Sequence, residues 1–135
     1  KDIYISSNRV YIASASGGTN FYPTSGNIVV DGTWKMITVT YDWGTKEVII
    51  YVNGVLDNQA TRSDWTTLTG EIWMGMSKNW GGNYPYTGFI VEVRIYDRAL
   101  TLEEINILYD LGKSNPVPAK ISNNTLYLAG QIKEV

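Results

Sequence analysis

Residues 33–54, TWKMITVTYDWGTKEVIIYVNG, constrain the fold more than any other stretch of the chain. Two runs, 34–41 and 46–52, are rich in Val, Ile, Thr and Tyr, the residues that fit a pleated, half-buried surface. Only Asp42, Trp43, Gly44 and Thr45 lie between them, so the runs read as antiparallel strands of one long hairpin. Gly44 is expected to supply the positive φ of the tight connection. Asn53-Gly54 then predicts a type I′ turn that brings residues 55–60 back beside the second strand. Alternation places Ile37, Val39 and Tyr41 on one face of the first strand and Trp34, Met36, Thr38 and Thr40 on the other; in the second, Val48, Ile50 and Val52 oppose Ile49 and Tyr51. Neither face is cleanly polar. That predicts strands covered on both sides, as in the middle of a β-sandwich.

The flanking chain continues the pattern. Residues 2–5 and 9–15 alternate around Ser6, Ser7 and Asn8 and predict an opening hairpin. After a loop at 16–20, a short edge segment at 21–23 carries Pro23, and a short strand at 27–30 stops at Asp31-Gly32. Residues 61–70 are polar, with Trp65 and Leu68 expected to fold back onto the body; 71–76 and 86–96 read as strands, the latter with a bulge or bend near Glu92 because Ile90 and Ile95 are out of phase. One helix is predicted, Leu100 to Gly112. Thr101 and Glu104 form a capping box, Leu100 and Ile105 a hydrophobic staple, and Leu102, Ile105, Leu108, Tyr109 and Leu111 an apolar stripe, with Gly112 as left-handed C-cap. Beyond it, Pro116 and Pro118 mark an extended linker, and residues 120–122 and 126–129 flank Asn123-Asn124 as a terminal hairpin.

Four of these pieces resemble, in order and spacing over residues 33–111, the laminin-G-like group of the concanavalin A-like lectin/glucanase superfamily: the central hairpin, Ile72-Trp73-Met74-Gly75, Tyr86-Thr87-Gly88-Phe89-Ile90, and EVRIYDRALTLEEI at 92–105. The resemblance implies an all-β fold, an antiparallel jelly-roll sandwich with one short helix in the C-terminal half. It also implies that Asp97 and Arg98 pin that helix to the last strand. The expected organisation is a sandwich over 1–112 followed by a linker and terminal hairpin, or assembly arm, over 113–135. Strands that usually open such a domain are not recognisable ahead of Ile3, so residues 1–30 in altered form, an upstream segment or a partner chain is expected to supply them. A chain that opens on Lys1 reads as a processed product or a piece of something longer.

Composition narrows the function classes. With 44% hydrophobic and 18% charged residues, 135 residues suit one globular domain. A net charge of −2 without a basic stripe argues against nucleic acid. No apolar run is long enough to cross a bilayer, which argues against membrane insertion. Cysteine and histidine are both absent, which excludes disulfides, thiolate or imidazole metal sites and any Cys or His nucleophile or base. Five Trp, ten Tyr and thirteen Gly are the make-up of extracellular β-domains that contact sugars or proteins.

A retaining glycosidase needs two carboxylates about 5–5.5 Å apart, and the superfamily's glucanases carry them as E-x-D-x-x-E on one strand. Here Trp73 and Met76 replace the second and third members after Glu71, and Glu92 and Asp97 fall on opposite faces of a regular strand. The chain therefore reads as no enzyme. Carbohydrate binding calls instead for flat aromatic faces beside amides, and Asn79, Trp80, Asn83, Tyr84 and Tyr86 supply both on a Gly-rich loop. The bland alternative is that these aromatics pack over the sheet's edge; Trp43 and Trp65 are weaker candidates. The resemblance also brings calcium into question, with Asp31, Asp42, Asp57 and Asp64 as weak loop ligands that serve equally well as turn-formers.

The expected function is a non-catalytic, lectin-like binding module at an extracellular, cell or virion surface that recognises glycan or protein. The rival is a structural module of a phage tail, capsid decoration or surface appendage that self-assembles through residues 113–135. A fragment of a glycan-active hydrolase stands third.

Overall fold

In the computed structural model, residues 2–6, 8–13, 26, 30–61, 76–77, 84–114 and 131–133 are described. They form nine strands and one helix: β1 Asp2–Ser6, β2 Arg9–Ala13, β3 Ile37–Tyr41, β4 Glu47–Val52, β5 Val55–Thr61, β6 Met76–Ser77, β7 Tyr84–Pro85, β8 Phe89–Val91, α1 Leu102–Ser114 and β9 Gln131–Lys133. Every pairing between these strands is antiparallel: β1 with β2, β3–β4–β5 in that order, β6 with β7, and β8 with β9. The fold class is an antiparallel β-sandwich with one short helix.

The core follows the alternation read from the sequence. Val39 pairs Ile50 and Tyr41 pairs Val48, so both strands present these residues to one side of the sheet. There Ile12 of the opening hairpin packs with Val48 and Ile50, and Val39, Tyr41, Val52 and Ala60 surround them. Ile12, Val48 and Ile50 are essentially sealed from water, each burial stabilising the fold by roughly 1.5–3 kcal/mol. On the opposite face Thr40 and Tyr51 are also buried. Both faces of the central strands are thus covered, and burial together with the neighbouring Glu47 raises the Tyr51 phenol above its ordinary pKa.

The turn between β4 and β5 is the one its dipeptide predicts. Asn53 and Gly54 both take positive φ, 54° and 79°. Asn53 is tied twice to Met36, its N–H donating to the Met36 carbonyl at 2.9 Å and its Oδ1 accepting the Met36 N–H at 2.9 Å. The β3 ladder begins directly after Met36, at Ile37 and not at Trp34. The β3–β4 connection differs from expectation. The Asp42 N–H donates to the Glu47 carbonyl at 2.9 Å, which places the four-residue loop at 43–46 instead of 42–45, and Lys46, not Gly44, takes the positive φ of 61° as the chain re-enters the sheet.

Strand β5 carries an irregularity of its own: Ile50 pairs Asn58 but Tyr51 pairs Leu56, leaving Asp57 as a bulged residue. The strand expected over 86–96 is confined to β8, because Glu92 adopts φ 55° and turns the backbone out of the ladder. The bend near Glu92 is therefore present, and stronger than a bulge.

Helix α1 starts at Leu102 because Thr101 is its cap. The Glu104 N–H donates to Thr101 Oγ1 at 3.3 Å and the Thr101 N–H to Glu104 Oε2 at 2.9 Å, both halves of a capping box. The C-terminal expectation fails. Gly112 is a helical residue inside α1, which runs on to Ser114, and the apolar stripe is Ile105, Leu108 and Tyr109, while Leu102 and Leu111 face solvent. Arg98 grips the Glu104 carboxylate with its two terminal guanidinium nitrogens, Nη1 donating at 2.8 Å and Nη2 at 2.6 Å; Asp97 is exposed. The helix lies over the β4–β5 turn, so close that a Cβ on Gly54 would sit 2.6 Å from Asn106 Oδ1 and 3.3 Å from Tyr109 Cδ1. No helix among the described residues is long and apolar enough to cross a membrane.

The edge segment at 21–23, the segment 62–70 with Trp65 and Leu68, the first five residues of the strand at 71–76 and the terminal hairpin at 120–129 lie outside the described residues, as do 27–29 of the strand at 27–30.

Candidate functional site

The aromatic loop is anchored by the short ladder of β6 and β7, in which Met76 pairs Pro85 and Ser77 pairs Tyr84. These pairs draw together the two ends of the segment 78–83. Asn79, Trp80 and Asn83 belong to that segment and lie outside the described residues. Tyr84 forms the second residue of the last ladder pair, and Tyr86 follows β7 as a half-buried residue with its hydroxyl oxygen shielded from solvent. The ladder thus sets the ends of the candidate surface, with Tyr84 where the paired backbone begins.

A second aromatic group sits at the β3–β4 tip. Trp43 is 51% exposed, meets the Tyr41 ring edge-on with centroids 5.0 Å apart, and has Lys46 Nζ 5.1 Å from its own ring centre. The Asp42 carboxylate fixes the loop by accepting the Gly44 N–H at 2.7 Å and the Thr45 N–H at 2.9 Å. Those two donors, Thr45 foremost, hold its pKa below the ordinary carboxylate value. At the other end of β3, Trp34 and Phe89 meet at 6.4 Å in a tilted arrangement.

The candidate calcium ligands are dispersed, each bound locally. Asp31 pairs with Lys35 at 2.7 Å and accepts from Thr33 Oγ1 at 2.6 Å and the Thr33 N–H at 3.0 Å, which brings its pKa to about 2, Lys35 being the largest cause. Asp42 closes its own turn, as above. Asp57 accepts the Gly26 N–H at 2.6 Å. Asp64 lies outside the described residues. Among the described residues no three Asp or Glu side chains come together in a group able to hold a metal ion. Calcium needs six to eight oxygens converging on one point, so Asp31, Asp42 and Asp57 do not fit a shared site.

Of the carboxylates considered for hydrolysis, Glu71 lies outside the described residues, Glu92 is ion-paired with Arg94 on the backbone kink, and Asp97 is exposed beside Arg98. An arrangement that sequence reasoning missed joins three distant segments: Arg9 of β2 donates to the Gly26 carbonyl while Asp57 accepts the Gly26 N–H. The signal for it is the bulge, since Asp57 is the residue that β5 leaves out of register; nothing in the local sequence announces that bulge.

Among curated proteins, none matches the chain. A solved structure of an S-layer domain-containing protein from Clostridium thermocellum is similar at 22% identity and a TM-score of 0.44, over 75% of this chain and 50% of that one. The chain spans about half the length of that structure. The profile of the Laminin_G_3 family, described as concanavalin A-like lectin/glucanases superfamily, matches residues 3–106, which takes in the opening hairpin, the central sheet, the β6–β7 ladder and the capped start of α1. The chain belongs to the Laminin_G_3 family of the concanavalin A-like lectin/glucanase superfamily.

Proposed function

We infer that the protein is a non-catalytic binding module of an extracellular or surface-displayed protein, and that it recognises carbohydrate through Asn79, Trp80, Asn83, Tyr84 and Tyr86. The observation that carries this reading is the β6–β7 ladder, which closes the ends of the aromatic segment against each other through the Ser77–Tyr84 pair. A segment tethered at both ends by paired backbone loses less freedom when a ligand orders it, so more of the contact energy appears as affinity. Family membership supports a lectin-like role, and the replacement of the glucanase carboxylates by Trp73 and Met76 supports binding without hydrolysis. Sugar rings present an apolar face to an aromatic side chain and hydroxyls to amides, and this segment offers both.

A glycan array probed with the full chain, with and without calcium, tests the reading. Trp80→Ala is expected to weaken the bound glycan roughly tenfold, the scale of one lost aromatic contact, while Trp43→Ala at the other tip leaves affinity unchanged. No reducing sugar is expected from oligosaccharides that bind. Equal affinity of Trp80→Ala and the parent chain would remove the aromatic segment from the site, and product release would overturn the non-catalytic assignment.

A further inference from the structure

The β8 edge has features of a strand acceptor, independent of the sugar-binding reading. Strand β8 is only three residues long and is ended by the left-handed residue Glu92 at φ 55°. Among the described residues its ladder partner is β9, near the end of the chain, through Phe89–Lys133, Ile90–Ile132 and Val91–Gln131. Apolar side chains along the same stretch stay exposed: Phe89, Val93, Ile95 and Tyr96, with Ile95 68% accessible. Large apolar side chains left exposed this close together in the chain are candidates for burial against a partner.

We propose that β8 receives residues 131–133 from a second copy of this chain, in a reciprocal exchange that keeps the pairing register seen within one chain. Sixteen residues separate Ser114, the last of α1, from Gln131. A stretch of that length spans at most about 55 Å, more than the roughly 30–35 Å width of a domain this size. Sixteen residues are therefore long enough, when extended, to reach a neighbour's β8 as well as their own. Exchange forms the same three pairs in trans as in cis, so the two states differ mainly in chain entropy and in what else the contact covers. The exposed Phe89, Val93, Ile95 and Tyr96 supply that additional burial when a second body approaches. A net charge of only −2 leaves little self-repulsion to oppose it. Because a short tether gives self-pairing an effective concentration in the millimolar range, exchange belongs to dense arrays such as a covered cell or particle surface.

The absence of cysteine makes the test clean. Phe89 and Lys133 are paired positions, and paired Cα atoms of either kind in an antiparallel ladder lie within disulfide range. Full-length Phe89→Cys and Lys133→Cys chains are mixed, unfolded and refolded together at high concentration, and oxidised. The expected product is a disulfide-linked heterodimer, formed several-fold above a control mixture of Trp43→Cys with Lys133→Cys. The pair Val91→Cys and Gln131→Cys repeats the measurement if Phe89→Cys folds poorly. A Phe89→Cys/Lys133→Cys double variant that closes only within one chain, with no excess heterodimer in the mixture, overturns the exchange. Absence of any cross-link in either format removes residues 131–133 from β8 altogether and overturns it too.

Discussion

The two ends of strand β4 are finished in opposite ways. Its C-terminal end turns through Asn53 and Gly54, is bonded to Met36, and lies under Asn106 and Tyr109 of α1. Its N-terminal end leaves a four-residue loop that carries Trp43 into solvent and is held by its own Asp42 carboxylate. One turn is part of the packed body. The other is a self-supporting projection, and only a turn of that kind can be reshaped without disturbing the core. The comparison makes the covered turn structural and the open tip free to vary.

The contrast is broken or sharpened most strongly by placing one methyl group at each end. Gly54→Ala forces an L side chain into φ 79° and pushes its Cβ toward Tyr109, so it is expected to cost about 2 kcal/mol of stability. Gly44→Ala needs no positive φ and meets only the Asp42 Oδ1 at 3.2 Å, so it is expected to stay within about 0.5 kcal/mol of the parent. Urea midpoints at constant slope measure both. Adding Asn106→Ala should return part of the Gly54→Ala loss, since Asn106 Oδ1 is the nearest atom to the new methyl group. Equal losses at the two glycines would mean that the helix does not distinguish the ends.

A smaller effect is expected where the helix itself is fastened. Thr101→Ala removes the side-chain acceptor of the capping box and should lower stability by about 1 kcal/mol. If α1 covers the Gly54 turn as a unit, Thr101→Ala and Gly54→Ala will not add: a loosened helix gives the new methyl group room. Strict additivity in the double variant would separate the helix from the turn.

What the sequence disclosed divides along the same line between local and distant causes. Asn53-Gly54 and the Thr101–Glu104 box were legible because each is a motif whose bonds close within a few residues. The burial of Val48 and Ile50 followed from alternation alone. The left-handed residue is Lys46 and not Gly44 because the bond from Asp42 to Glu47 places the four-residue loop at 43–46, one position later than the sequence suggests, and its last residue re-enters the sheet. Glycine composition carries no information about that closure. Helix α1 passed through Gly112 because a half-buried position on its packed face accepts a residue with no side chain. The Asp57 bulge, the Gly26 clamp and the β8–β9 pairing join residues far apart in the chain, and no local pattern encodes them. The residue chemistry of the aromatic segment was readable for the same reason the turns were, whereas its β6–β7 anchorage depends on a pairing between separate strands.

Acid provides the finest comparison, because each end depends on a carboxylate of different surroundings. At the covered end Glu104 is brought from its ordinary 4.5 to about 2, chiefly by Arg98 and then by the Thr101 N–H. At the open tip Asp42 is lowered from 3.8 by the Thr45 and Gly44 N–H groups. A folded-state pKa below the unfolded one means that the unfolded chain binds more protons across the interval. The contribution is therefore complete above the unfolded pKa and disappears as pH falls through the folded one. For Glu104 that window runs from about 4.5 down to about 2, and Asp31 titrates across much of it as well, so the informative quantity is a difference between variants. Glu104→Gln should flatten the acid limb of the stability curve in this window, with a small amplitude because the Arg98 pair is open to solvent. Added salt should shrink that difference, since it screens an ion pair, yet leave the Asp42→Asn difference nearly unchanged, because neutral N–H donors hold Asp42 in place. Equal salt sensitivity of the two differences would show that Asp42 is held by Lys46 rather than by its own turn, and would make the open tip no more self-sufficient than the covered one.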